Sequence, residues 1–154
     1  MGSRERLRCR REGGRVPHDL AAAPFAGVCP FHGDCLEGLA SGPAMAARWG
    51  APPESLPPDH IAWTLEARYL ALALAGFVCT LSPERIVSGG GVMAEPTLLP
   101  RVRAMLATLL NGYVQAPALL DDLDRYVVPP ALGARAGVIG GLVLAAQART
   151  RGPR

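Results

Sequence analysis

The sequence predicts an α/β domain in which a few parallel strands carry helices packed on them. Three observations point there. Helix-like segments alternate with two short β-branched segments, "RIVSGGG" (85–91) and "RYVVPP" (125–130), and such alternation builds parallel strands. Each of the two is closed by turn formers, glycines in one case and prolines in the other. The composition, 49% hydrophobic and 19% charged over 154 residues, is that of one globular domain rather than a disordered chain.

In chain order, residues 16–34 are a loop rich in Pro and Gly. "CLEGLASGPAMAARWG" (35–50) predicts a short helix, a turn, and a second helix from Pro43 to about Trp49. Proline fits only the first turn of a helix, so Pro43 separates the two. "APPESLPP" is a linker. In "DHIAWTLEARYLALALAGFVCTLSP", Asp59 is the expected N-cap and Pro83 the stop. Ile61, Leu65, Tyr69, Leu72, Ala73, Phe77 and Thr80 mark the expected inner face of this core helix, with His60 as a helix-start residue and Cys79 in the core. After the strand at 85–91, "EPTLLPRVRAMLATLLNGYV" is a helix with Leu106, Leu109 and Leu110 inward. The strand at 125–130 leads to a closing helix, "LGARAGVIGGLVLAAQART", whose Ala136, Gly137, Gly140 and Gly141 allow close backbone approach. Two strands make a poor sheet, since independent sheets usually need three or more. Part of a larger fold is therefore expected to be missing.

Charge narrows the function. All sixteen basic residues are arginine, which excludes a Walker-type phosphate loop and a Schiff-base lysine. Residues 1–15 hold six Arg and two Glu, or +4, leaving −1 on the remainder (10 Arg against 11 acids), so no nucleic-acid partner is expected. Four cysteines (9, 29, 35, 79) lack the density of a secreted disulfide scaffold. Residues 1–15 contain no apolar signal core, and the longest apolar run, Tyr69 to Leu81, is 13 residues. A membrane span needs about 20. A cytoplasmic chain with no membrane segment is expected.

Three constellations could carry chemistry. Cys29, His32 and Cys35 are soft ligands at three-residue spacing, suited to zinc or equally to an ordinary loop. His18 is the histidine near enough in sequence to supply a fourth ligand. "SGGGVM" (88–93) joins a strand to a helix, where glycines either admit a phosphate or nucleotide or simply make the turn. Glu37 stands where the cysteine loop meets a helix, placed to accept substrate hydroxyls or merely to favour the first helical turn. Asp121, Asp122 and Asp124 read as a solvated helix-end face.

"GVCPFHGDCLEGLASGPA", "GGGVM" and "VVPPALGARAGVIGGLVLA" together resemble the C-terminal half of the ROK-family sugar kinases, of the zinc-containing bacterial fructokinase type. The resemblance implies a partial actin-like (ribonuclease H-like) ATPase lobe, with hexose (fructose) and MgATP bound between two lobes. It makes Cys29, His32 and Cys35 three of four Zn2+ ligands and Glu37 the sugar-binding glutamate. Gly89, Gly90, Gly91, Val92 and Met93 become the loop bordering adenosine, with Pro43 near the nucleotide. The family's glycine-rich phosphate segment and catalytic aspartate have no counterpart here. "RREGGRVP" stands where the family has Glu-x-Gly-His, so the fourth ligand is missing unless His18 replaces it.

The expected domains are an Arg-rich leader at 1–14, a C-terminal kinase lobe at 15–150 with its zinc loop at 25–37, and a tail at 151–154. The abrupt loss of resemblance at the leader leads us to expect a truncated or frameshifted reading frame. The isolated chain is expected to be inactive. The alternative is a non-catalytic zinc-binding dimerisation or interaction remnant; a repressor of the same family is disfavoured because no helix-turn-helix precedes the domain. Association, as a homodimer or through exposed apolar surface, is expected.

Overall fold

The computed structural model describes residues 25–151, so the leader, His18 and the expected boundary at residue 15 lie outside the described residues. Helices α1 (Leu36–Ala40) and α2 (Gly42–Trp49) follow the cysteine loop. Ser41 separates them, accepting a hydrogen bond from the Ala44 amide, with Pro43 in the first turn of α2 as its missing N–H requires. The linker forms a 3-10 turn at Pro53–Ser55 and leads into the longest helix, α3 (Ile61–Leu81). β1 (Ile86–Val87), α4 (Leu98–Leu110), the short α5 (Pro117–Leu120) and α6 (Leu123–Tyr126), β2 (Val127–Val128) and α7 (Ala136–Arg151) complete the order. β1 and β2 pair in parallel, with Ile86 opposite Val127 and Val87 opposite Val128. This is a mixed α/β fold with few parallel strands, as the alternation predicts; each strand is two residues rather than the six or seven of its sequence segment.

The core lies between α3 and α4. Trp63, Ala67, Ala71 and Val78 of α3 meet Leu98, Val102, Leu106 and Leu110 of α4, all buried. Both sets recur at four or seven residues, the spacing of one helix face. Small alanines on α3 let the larger α4 side chains seat between them. Arg103 of α4 donates to the Val127 carbonyl at 2.7 and 2.9 Å and pairs with Asp124 at 2.8 Å, tying β2 to the core. The Tyr126 hydroxyl donates to the Pro83 carbonyl at 2.7 Å, holding the end of α3 beside the strands.

Several expectations need correction. The N-cap of α3 is His60, whose Nδ1 accepts from the Ala62 amide at 3.1 Å, not Asp59. The buried face of α3 is rotated from the expected one: Leu65 is buried, but Ile61, Phe77 and Thr80 are exposed. In a helix apolar on nearly every side, hydropathy sets no phase, and the partner helix decides. Cys79 is exposed rather than in the core. Leu109 is only partly buried, whereas Leu106 and Leu110 are buried as expected. No described atom lies within 4 Å of a Cβ built on Gly137, Gly140 or Gly141, so these glycines face open space. Asp122 caps α6 through the Arg125 amide. By length and composition α3 is apolar enough to cross a membrane, yet it seats a face on α4 as a core helix does.

Candidate functional site: a Cys-His-Cys loop and a cleft beside α2

The loop ahead of α1 folds back on itself. Cys29 and Gly33 form an antiparallel bridge, the Gly33 amide donating to the Cys29 carbonyl at 2.9 Å. The Val28 amide donates to the Gly38 carbonyl at 3.0 Å, fastening the loop to α1. Glycine is obligatory at two places here. A Cβ on Gly27 or on Gly38 would overlap the Gly33 carbonyl, and Gly27 also has φ +79°.

This knuckle brings Cys29, His32 and Cys35 together, their ligand atoms all within 4.8 Å of one another. Cys29 Sγ lies 3.8 Å from His32 Nδ1. Tetrahedral zinc with Zn–S about 2.3 Å and Zn–N about 2.05 Å sets an S···N separation of about 3.6 Å. The three residues therefore fit zinc. The Phe31 backbone N–H lowers the Cys29 thiol from its ordinary range, helped by the His32 amide and the Cys35 side chain. That favours the thiolate a metal binds. Among the described residues the group has three members.

Glu37 sits exposed in the first turn of α1, two residues beyond Cys35. The knuckle that gathers the ligands thus also sets where this carboxylate stands.

A cleft of about 710 Å³ lies beside α2, of a size that takes a small organic ligand. Pro43 and Ala46 of α2 form one side, Pro52, Pro53 and Trp63 another, and Gly91 and Val92 of the turn after β1 a third. A Cβ on Gly42 would lie 3.9 Å from the Val92 side chain, so α2 and the turn after β1 approach closely beside the cleft. Of the expected glycine-turn residues, Gly91 and Val92 line the cleft together with Pro43. Gly89 is instead pressed against Pro130, where a Cβ would lie 2.9 Å from the ring, and Gly90 supplies a turn at φ +110°. Met93 packs against the core. Glu37 is not among the lining residues.

Sequence reasoning missed Trp63, Glu54 and Glu95 in the lining. The Trp63 indole donates to the Pro57 carbonyl at 3.0 Å, which fixes the linker as a wall. Glu95 accepts from the Thr97 amide and hydroxyl at 3.0 and 2.8 Å. Among the described residues no arginine lines the cleft, and the two charged residues in the lining are both carboxylates.

The ROK family's sequence profile matches residues 12–148. The chain is 46% identical over 134 residues to a Bacillus subtilis (strain 168) protein provisionally named a fructokinase, covering 87% of this chain and 44% of that protein. It is 40% identical over 131 residues to the fructokinase of Pediococcus pentosaceus, covering 85% of this chain and 43% of the relative. It is 40% identical over 128 residues to the fructokinase of Streptococcus mutans (serotype c, strain ATCC 700610 / UA159), covering 82% of this chain and 42% of the relative. The chain thus spans less than half the length of these curated relatives.

Proposed function

The chain belongs to the ROK family, and from that premise we propose that it forms the C-terminal lobe of a cytoplasmic sugar kinase, residues 15–150, that transfers phosphoryl from MgATP to a hydroxyl of a hexose. Fructose is the hexose suggested by the relatives' names. The observation that carries this reading is the cleft in which Pro43 and the Gly91–Val92 turn meet. Its apolar walls suit an adenine ring, and Glu54 and Glu95 offer acceptors for amino or ribose hydroxyl groups. The triphosphate needs cationic partners outside this lining.

Cys29, His32 and Cys35 would hold Zn2+, with His18 as the fourth ligand. Bound zinc supplies a structural cross-link rather than a reactive centre. The protein's own part is then to hold Glu37 so that its carboxylate accepts hydrogen bonds from the sugar. Kinase catalysis is mainly positioning and charge neutralisation, completed by a carboxylate that accepts the hydroxyl proton. These 154 residues contain no match to the family's catalytic-aspartate segment, so they are expected to give no turnover alone. A second reading, a non-catalytic interaction module, is favoured by the exposed apolar face of α7.

Calorimetric titration with ATP and with adenosine tests the cleft. Both ligands are expected to bind, and Ala46→Trp, which puts a large ring into the cleft from a lining position, should weaken both at least about tenfold. A coupled ADP assay with fructose should stay at background. Absence of nucleotide binding, or an Ala46→Trp variant that binds as well as the parent, refutes the nucleotide assignment. Turnover by the chain alone refutes the assignment of the base elsewhere.

A further inference from the structure

We infer that Cys29 and Cys35 form a thiol pair that a peroxide oxidises to a disulfide, and that this bond and a bound metal ion exclude one another in the knuckle. The inference deepens the metal assignment above and rests on it. The Sγ atoms of the two cysteines lie within 4.8 Å of each other. A disulfide needs about 2.05 Å, so they close by less than about 2.8 Å to form one. Tetrahedral zinc, with Zn–S about 2.3 Å, would hold them about 3.8 Å apart. No single arrangement satisfies both. A disulfide sulfur is uncharged and is no longer the thiolate that zinc binds.

Backbone bonds of the knuckle itself bring the pair together. Cys29 exchanges bonds with Gly33 at 2.9 and 3.4 Å, the Val28 amide donates to the Gly38 carbonyl at 3.0 Å, and the Leu39 amide donates to the Cys35 carbonyl at 3.0 Å. One frame therefore carries both cysteines, and thiols released from a metal stay neighbours. The knuckle is also open to small solutes. Both cysteines are half-buried, His32 is exposed, and Phe31 beside it is 82% exposed. Cys79, exposed near the end of α3, serves as the comparison thiol.

The chemistry balances with hydrogen peroxide as the oxidant. One cysteine Sγ attacks a peroxide oxygen, the O–O bond breaks, and a sulfenic acid and water result. The second Sγ then attacks the sulfenic sulfur, forms the S–S bond and expels the hydroxyl as a second water. The two thiols give up two electrons and two protons, which the peroxide takes; starting from thiolates, the solvent supplies those protons. A neighbouring thiol thus diverts oxidation from irreversible sulfinic acid to a reversible product. Cys35 immediately precedes α1 and Glu37 stands in that helix's first turn, so the exchange acts where the carboxylate proposed for the sugar is held.

The zinc-loaded chain is treated with a few equivalents of hydrogen peroxide and followed with a chromophoric zinc chelator and by peptide mass. One zinc is expected to leave per disulfide formed, and the tryptic peptide 16–48 should become lighter by about 2 Da, the mass of two hydrogens. Cleavage before Asp34 divides that peptide between the cysteines, and the halves should stay joined until dithiothreitol is added. Dithiothreitol with zinc should then restore the metal content. Cys35→Ser leaves Cys29 without its neighbour, and the mass loss should vanish. Zinc retained at a peroxide dose that oxidises Cys79, sulfinic acid at Cys29 and Cys35 in place of the disulfide, or a disulfide that forms with zinc still bound would each overturn the inference. A reduced chain that takes up no zinc refutes the metal assignment and the exclusion with it, and is read before any oxidant is added.

Discussion

Glu66 is 2% exposed, and its Oε1 has no hydrogen-bond partner among the described residues. It shares a side of α3 with Ala62 and Tyr69, four and three residues away, where Arg48 of α2 donates to the Tyr69 hydroxyl at 3.2 Å. Burial pushes its carboxyl up to about 8, from an ordinary 4.5. The sign of the consequence follows. Between those values the unfolded chain has released a proton that the folded chain keeps, so stability falls as pH rises. The fall is about 1.4 kcal/mol per pH unit within that window and is complete above the folded value. Glu66→Gln carries no titrating group and should show a flatter profile, with the variant gaining on the parent as pH rises. Urea melts at pH 5 and pH 8 measure it. Equal pH dependence of the two proteins would refute a buried neutral carboxyl.

At the scale of elements, the contact between α3 and α4 organises the domain. Leu106 is fully buried against the alanines of α3, whereas Leu109, one turn away, is partly buried. Leu106→Ala should cost roughly 2–5 kcal/mol, as deletion of buried methyl groups does when a cavity remains. Leu109→Ala should cost less. Thermal melts of the two variants provide the comparison, and equal losses would contradict the packing described here. The knuckle that carries Cys29, His32 and Cys35 is an element of another kind, held by short-range backbone bonds instead of apolar area. Gly27, Gly33 and Gly38 make its folded-back path sterically possible, so ligand spacing and glycine placement act as one device.

At the scale of the whole molecule, burial is uneven. The α3–α4 core is closed, while Leu81, Val87, Leu132 and much of α7 remain exposed. Large exposed apolar patches mark interaction surfaces or drive aggregation. Without a covering lobe the chain should therefore associate in a concentration-dependent way, and Leu142→Glu should reduce that association. Sedimentation velocity over a range of concentrations measures both. A parent chain that stays a monodisperse monomer would show that the exposed helix has no such consequence.

The alternation of helix and strand segments, the break at Pro43, the cysteine–histidine spacing and the glycine turn were all legible in the sequence. Each depends on interactions within a few residues, or on a backbone restriction carried by one residue type. The burial of Trp63, Ala67 and Ala71 in place of Ile61 and Phe77, the exposure of Cys79, and the joining of Pro43 to Gly91 and Val92 across one cleft were decided by tertiary structure. A helix as apolar as α3 carries no intrinsic inner side. Its partner α4 chooses that side, and residues 43 and 92 become neighbours only when the elements bearing them pack together.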